Sequence, residues 1–272
     1  MVQCGVAAFA SVSLSLDEMA VIRKAPEANL GLPLAPSMAR HCDEQTIAVL
    51  SAVSEAVRKL GTPPSEFESW GIVASSRYLG RSFFSQSLEK FDRDGPWNTS
   101  IQVVPNRSLH SPSSTVSLLL GCHGPNVGVG GGVDGEGQAL LTALSLLNDD
   151  TLPGVWLLLS GWSPELNVDA AGQPTTDARC QALAVAMRPS TEVPDGLHLR
   201  VVPDFESSDE ADKSSSSRSS NWLSLLTAML HRQPQKLNVI APLCDGLRAE
   251  LVWDNSQSIA LSASPAALRN AG

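Results

Sequence analysis

The sequence predicts a layered α/β fold with a mainly parallel sheet over its first 190 residues. Short apolar runs alternate there with segments of helical periodicity, and glycine or proline separates many of them. The chain has 272 residues, of which 43% are hydrophobic, so it is long enough to bury a substantial core. After residue 190 the alternation stops and strand-like runs dominate. We therefore expect one domain overall, in which residues 191–272 pack on residues 1–190.

Periodicity and helix-capping residues predict the elements of the first part. A helix is predicted over residues 43–60, because apolar residues recur at three- and four-residue spacing and Asp43 can cap its start. Ser111 is predicted to cap a second helix, whose first helical residue is Pro112. The other predicted elements are strands at 2–10, 70–75, 126–130, 155–159 and 182–187, and helices at 81–91 and 136–147. The apolar sequence VWLLL predicts a central strand that is covered on both faces.

The second part contains one segment that is not expected to fold. Residues 206–220 are polar, rich in serine and acidic at their start, so they cannot bury apolar area and are predicted to form a disordered loop. A helix is predicted at 221–231. Strands are predicted at 237–242, 247–253 and 259–263. Asp245–Gly246 separates the first two of these strands and predicts a hairpin.

Charge and composition exclude several classes of function. The formal net charge of −9 repels phosphate backbones, so nucleic-acid binding is not expected. No apolar run reaches the roughly 18 residues that a membrane span needs. The first positive side chain is Arg23, which favours a first strand over a secretory signal. The five cysteines form no CxxC pair and no metal-ligand cluster, which predicts reduced, buried thiols, a cytoplasmic location and no metal or cofactor.

The most informative segment is the glycine-rich stretch GPNVGVGGGVDGEGQAL, and two interpretations follow from its residues alone. Gly130, Gly132 and Gly135 match the GxGxxG pattern between a strand and a helix, where backbone N–H groups could hold a nucleotide or the pyrophosphate of coenzyme A. Asp134 and Glu136 argue against this, because they place carboxylates where a phosphate would sit. The second interpretation is a tight structural turn that needs glycine.

A third interpretation rests on the order and spacing of residues around this stretch. The residues concerned are Leu120–Gly121, Gly124–Pro125–Asn126, Val127, Val129 and Gln138–Ala139–Leu140, with GIVASS upstream and VWLLLSGW downstream. In this order they resemble the centre of the β-ketoacyl synthases, which belong to the thiolase superfamily. The resemblance covers about residues 1–190. It implies a layered thiolase-like fold whose first half is retained and whose second half is truncated and strand-rich.

The sequence departs from that family at the site of its chemistry. The family's turn carries a catalytic cysteine, whereas this chain has Gly132, Val133 and Asp134 there. A valine side chain cannot form a thioester. Nothing resembles the family's His-Gly-Thr-Gly-Thr motif. The resemblance therefore implies no catalytic residue and a subunit of the short, non-catalytic chain-length-factor type.

Such a subunit would pair with an active ketosynthase in a heterodimer, or with itself in a homodimer, and would meet an acyl carrier protein only through its partner. The family pairs the strand after Gly-Pro-Asn edge to edge, which implies a dimer interface at Asn126, Val127 and Val129. The resemblance also places Val103 and Val104 beside the partner's acyl tunnel, although a simple buried strand is the alternative. The implied role is to shape that tunnel in fatty-acid or polyketide synthesis of the aryl-polyene type.

Two other functions stay open on the sequence alone. One is an enzyme or binding protein that uses the turn from Gly130 to Gly135 for a nucleotide or coenzyme A. The other is a self-associating scaffold without any role toward acyl chains. Cys122, although adjacent to His123, is interpreted as a half-buried thiol at a helix end, because catalytic partners meet in space rather than along the chain.

Overall fold

The structure is a computed structural model. It describes residues 2–98, 106–132, 134–148, 151–165, 177–193, 196–203, 221–231, 238–244 and 246–254. Several predictions lie outside these described residues. They concern Val103, Val104, Val133, the loop at 206–220 and the strand at 259–263.

The described strands form a single eight-stranded sheet. They are β1 Val2–Leu14, β2 Gly71–Ser76, β3 Asn126–Val129, β4 Val155–Ser163, β5 Arg179–Pro189, β6 Gly196–Pro203, β7 Asn238–Cys244 and β8 Leu247–Asp254. Their order in the sheet is β3-β2-β4-β5-β1-β6-β8-β7. The pairs β3–β2 and β2–β4 are parallel, and every other adjacent pair is antiparallel. The prediction of a mainly parallel sheet is therefore wrong. The reason is that β5 pairs antiparallel with β4, and β1 pairs antiparallel with β5. Parallel pairing is therefore confined to β2, β3 and β4.

The structure describes eight α-helices. They are α1 Leu16–Lys24, α2 Pro26–Leu30, α3 Pro36–His41, α4 Glu44–Leu60, α5 Arg81–Asp94, α6 Ser111–Leu120, α7 Gly135–Leu147 and α8 Trp222–Leu230. All of them except α5 cover the sheet. The prediction for α4 is confirmed, since the Asp43 carboxylate accepts the Gln45 N–H at 2.9 Å. The cap of α6 is His110, so the prediction that Ser111 caps it is wrong by one residue. Ser111 already lies in the helix, where its carbonyl accepts the Thr115 hydroxyl.

The sequence prediction missed α1–α3 and β6, and a signal for α1 was present. Ser15 and Glu18 form a capping box, in which each side chain accepts the other residue's backbone N–H. The β7–β8 hairpin, by contrast, is confirmed, with Gly246 at a φ of +74° in the connection. Through β6, β8 and β7, the second part of the chain extends the sheet beyond β1.

The core consists of two apolar layers, one on each face of the sheet. Helices α1–α4 and α6 cover one face, and α7 and α8 cover the other. Strand β4 shows both layers, because Trp156 and Leu158 belong to the first and Leu157 and Leu159 to the second. This confirms a central strand that is buried on both faces. Burying each such side chain stabilises the fold by about 1.5–3 kcal/mol. Within the described residues, no helix combines the length and the apolar character that crossing a membrane requires.

Candidate functional site

The carboxyl ends of β3, β2 and β4 meet at one edge of the sheet, where ligands commonly bind in open α/β folds. The glycine-rich turn leaves β3 at this edge and leads into α7. Ser76 ends β2 and Ser160 lies beside it on β4. The structure thus places the turn, the start of α7 and the ends of two further strands together.

Backbone hydrogen bonds hold the turn. The Ser75 hydroxyl donates to the Gly130 carbonyl at 3.3 Å, and the Tyr78 N–H donates to the Gly131 carbonyl at 2.9 Å. The Gly135 N–H donates to the Gly132 carbonyl at 3.2 Å. A Cβ on Gly135 would collide with the Gly130 carbonyl oxygen, so only glycine fits there. The turn therefore closes on itself between β3 and α7.

The residue facing this turn has an unusual backbone conformation. Tyr78 adopts a φ of +51°, a left-handed conformation that costs free energy in a residue with a side chain. The guanidinium groups of Arg77 and Arg81 each lie 5.7 Å from the centre of its ring. These contacts and the hydrogen bond to Gly131 hold Tyr78 in place beside the turn.

Packing of the turn on itself explains the glycine that completes the GxGxxG pattern. Gly135 is needed because the Gly130 carbonyl lies against it, and not because a ligand approaches. Asp134 stands at the N-cap position of α7 and makes no capping hydrogen bond with its side chain. Glu136 is buried in the first turn of the same helix. Two carboxylates at this helix start disfavour a bound phosphate. Of the predicted nucleophile turn, the structure describes Gly132 and Asp134, which flank Val133.

Glu136 joins the turn to the second part of the chain. Its side chain is 1% exposed, and its Oε2 accepts the backbone N–H of Leu223, in the first turn of α8, at 2.8 Å. Burial raises the pKa of this carboxyl, and the backbone N–H groups of Leu223 and Trp222, together with Arg77, lower it in part. Its Oε1 is buried and has no hydrogen-bond partner within the described part of the chain. Sequence reasoning expected an acid at a helix start but missed this contact, which joins residues 87 positions apart.

A buried chain of polar side chains holds the ends of β2 and β4. The hydroxyls of Ser76 and Ser160 lie 2.7 Å apart, and Ser160 donates to Gln45 Oε1 at 3.1 Å. Gln45 Nε2 donates to the Arg77 carbonyl at 2.9 Å. These hydrogen bonds position the end of β2, Ser160 on β4 and the first residue after β2. Sequence analysis did not identify these side chains, although serines at the end of GIVASS and within VWLLLSGW were a signal for them.

A second polar cluster fixes the chain next to the predicted tunnel segment. Arg107 donates to Asp43 Oδ2 at 2.9 Å, and its guanidinium carbon lies 4.2 Å from the centre of the Phe83 ring. Burial raises the pKa of Asp43 to about 6, with a further increase from Glu44 and an opposing effect of Arg107. These contacts fix the position of Arg107, which Asn106 alone separates from residues 101–105 in the sequence.

The described thiols are unsuited to nucleophilic chemistry. The buried cysteines are Cys4, Cys42, Cys122 and Cys180. Burial raises the pKa of Cys122 to about 12 and that of Cys42 to about 11, so both are protonated at neutral pH. The prediction of buried thiols is confirmed for these four residues, and Cys122, which was expected to be half-buried, is buried as well. Within the described ranges, no group of three or more His, Cys, Asp or Glu side chains could hold a metal ion.

Strand β3 forms one edge of the sheet and pairs with β2. The Ile72 N–H donates to the Pro125 carbonyl, so the alternation of a parallel ladder directs the N–H groups of Val127 and Val129 toward β2. Those of Asn126 and Gly128 then point to the open edge. Asn126 Oδ1 is shielded from solvent and has no donor among the described residues. Within the described part of the chain, the predicted interface residues therefore lie on a strand that has a neighbour on one side only.

Comparisons with known proteins find similarity in structure and none in sequence. No family model matches the chain, and no curated protein matches it either. The structure is similar to one chain of a ketosynthase, ApeO, in complex with its chain length factor, ApeC, from Xenorhabdus doucetiae. The TM-score is 0.56 at 13% identity, over 93% of this chain and 100% of that one.

Two further solved structures share the fold. Ketosynthase twelve of the bacillaene polyketide synthase from Bacillus amyloliquefaciens has a TM-score of 0.52 at 14% identity, over 79% of this chain and 47% of that one. The complex AntDE:AntF, a type II polyketide synthase acyl-carrier protein with its ketosynthase bound to the hexaketide, has a TM-score of 0.51 at 11% identity. That match covers 75% of this chain and 70% of the other. The chain therefore has the layered α/β fold of these ketosynthases, as its sequence predicted.

Proposed function

We propose that this chain is a non-catalytic ketosynthase-like subunit that pairs with an active β-ketoacyl synthase and helps to shape its acyl tunnel. The product is an acyl chain of fatty-acid or polyketide synthesis, of the aryl-polyene type. The complex works in the cytoplasm and meets the acyl carrier protein through the active partner. The solved complex of a ketosynthase with its chain length factor supports this pairing, because it has the same fold over nearly the whole chain.

The observation that carries the proposal is a preserved turn without a nucleophile. The turn between β3 and α7 is held by Ser75, Tyr78 and Gly135, yet the family's cysteine position is Val133. A carbon–hydrogen side chain has no lone pair with which to attack a thioester. The buried, protonated thiols elsewhere in the described chain offer no replacement. A subunit of this kind keeps the fold and loses the chemistry.

The unpaired edge of β3 supports the proposal that the partner pairs with this strand. Its outward N–H and C=O groups need partners, and a strand of a second subunit would supply them. A donor from that subunit would also satisfy Asn126 Oδ1. Asn126, Val127 and Val129 are therefore proposed as the dimer interface. Val103 and Val104 are proposed to contact the partner's tunnel, next to the anchored Arg107.

The experiment co-expresses the tagged full chain with each ketosynthase of its source organism, one at a time. We expect one synthase to co-purify as a one-to-one complex, measured by size-exclusion chromatography with light scattering. Acyl carrier protein loaded with substrate is then added, and intact masses are recorded. The adduct is expected on the synthase alone. An acyl adduct on this chain would show that it is catalytic, and a chain that associates only with itself would support a scaffold.

A further inference from the structure

Helix α5 carries an apolar face that nothing in the described chain covers. Phe84, Leu88 and Phe91 recur at four- and three-residue spacing and form one stripe, with exposures of 39%, 67% and 49%. None of the residues of α5 whose side chains are described is buried. Trp97, in the short turn that follows the helix, is 98% exposed. Large aromatic side chains are seldom left this open unless another molecule covers them.

The size of this surface fits a protein contact. The four side chains together expose about 500 Å², if each aromatic ring can bury about 150–250 Å². That is on the scale of the largest apolar patches on monomers and more than half of the roughly 800 Å² per partner of a standard interface. A 14-residue helix is also marginally stable in water without tertiary packing. Covering the stripe would stabilise the helix as well as the complex.

The charges on α5 indicate which kind of molecule covers it. Its basic residues Arg81, Lys90 and Arg93 are matched by its acidic residues Glu89, Asp92 and Asp94. A surface without net charge lacks the basic patch that an acidic protein or an anionic membrane would need. An apolar centre with a mixed polar rim is instead typical of a contact between protein subunits.

Contacts within the chain connect this surface to the open edge of β3. Phe83, at the base of α5, stacks on Arg107. Leu109 lies two residues after Arg107 in the sequence. Its backbone is directly against Gly128 of β3, and its side chain is 37% exposed. Phe84, Leu88, Phe91 and Trp97 form the surface here called the α5 surface, and the contacts of Phe83 with Arg107 and of Leu109 with Gly128 link the base of α5 to β3.

We infer that the α5 surface is a second part of the interface with the active ketosynthase. The partner that pairs with β3 would extend over Leu109 and contact α5. This inference rests on the proposed function. The molecule that covers the α5 surface is the same subunit that pairs with β3, because a protein subunit that pairs with this edge strand is large enough to reach the nearby α5 surface as well. Trp97 and Leu88 are its expected hot spots, being the most exposed apolar side chains of the four.

The test uses the co-purified complex of the full chain with its ketosynthase. Leu88→Glu places a negative charge in the centre of the surface, and Lys90→Glu places one on the opposite side of the same helix, 200° around its axis. Leu88→Glu and Trp97→Ala should each weaken the complex at least about tenfold, measured by biolayer interferometry, whereas Lys90→Glu should leave the affinity unchanged. Circular dichroism checks that the variants fold. Hydrogen exchange of the α5 amides should slow when the synthase is bound.

The outcomes separate this inference from the proposed function. If a synthase co-purifies but the Leu88 and Trp97 variants bind it normally and α5 exchange is unchanged, the α5 inference is wrong and the proposed function stands. If Leu88→Glu instead disrupts a homodimer of this chain and leaves synthase binding intact, a second copy occupies the surface and the inference is wrong. If no synthase binds, both proposals fail together.

Discussion

Glu136 is expected to hold the second part of the chain to the glycine-rich turn, and Glu136→Ala tests this. The substitution leaves the buried N–H of Leu223 without an acceptor, at a cost of about 1–3 kcal/mol. It also removes a negative charge from the start of α8, which contributes about 0.3–1 kcal/mol. Removing a buried carboxylate relieves part of its desolvation, so the two costs do not simply add. We expect the free energy of unfolding to fall by about 2 kcal/mol.

The control is Glu136→Gln, which keeps an oxygen acceptor for the same N–H and removes the charge. It is expected to change the free energy of unfolding by less than about 1 kcal/mol. Urea denaturation followed by tryptophan fluorescence measures both variants, and Trp222 lies in the affected helix. A Glu136→Ala protein whose stability stays within about 0.5 kcal/mol of the wild type would refute this account, because an unsatisfied buried N–H must be destabilising.

The pH dependence provides a second readout for Glu136. Its pKa is raised in the folded protein above the ordinary value of 4.5, so the folded state holds the proton more strongly than the unfolded state. The resulting stabilisation is complete below the unfolded pKa and is lost as pH rises through the folded pKa. Glu136→Gln should lack this decrease, and a pH profile identical to that of the wild type would contradict the assigned burial effect.

The remaining predictions concern the acid at Asp43, the strand edge and the tunnel. Burial raises the pKa of Asp43 from 3.8 to about 6, so the free energy of unfolding of the wild type should fall by up to about 3 kcal/mol as pH rises through this interval. In Asp43→Asn, urea denaturation should show a free energy of unfolding that no longer falls over the same pH range. Asn126→Pro deletes an outward N–H of β3 and should weaken the complex with the synthase in interferometry. The control Asn126→Ala keeps that N–H and loses only the side-chain oxygen, so it should weaken the complex much less; equal affinities would argue for another interface. Val103→Trp should shorten the products of the intact complex by mass spectrometry, because each displaced CH₂ forfeits about 0.8 kcal/mol of burial; unchanged products would contradict a role in the tunnel.

Local features of the fold were predictable because near neighbours in the chain encode them. The α4 helix followed from apolar spacing and from the Asp43 cap, and both are present. The burial of β4 on both faces followed from its uninterrupted apolar run. The ketosynthase-like fold followed from the order of short motifs, since each strand and turn keeps its place even where few residues are identical.

Long-range pairing was decided only by the tertiary structure. Nothing local to the first strand indicates that it pairs with β5 and β6, and this pairing makes the sheet mixed instead of mainly parallel. Glu136 shows the same limit, because its position predicts a helix start while its hydrogen bond reaches 87 residues along the chain. Gly135 was recognised as part of a turn, yet the carbonyl that requires a glycine there belongs to Gly130 across that turn. Periodicity, capping and turns depend on a few adjacent residues, whereas strand order, buried hydrogen bonds and close backbone contacts depend on which distant segments the folded core brings together.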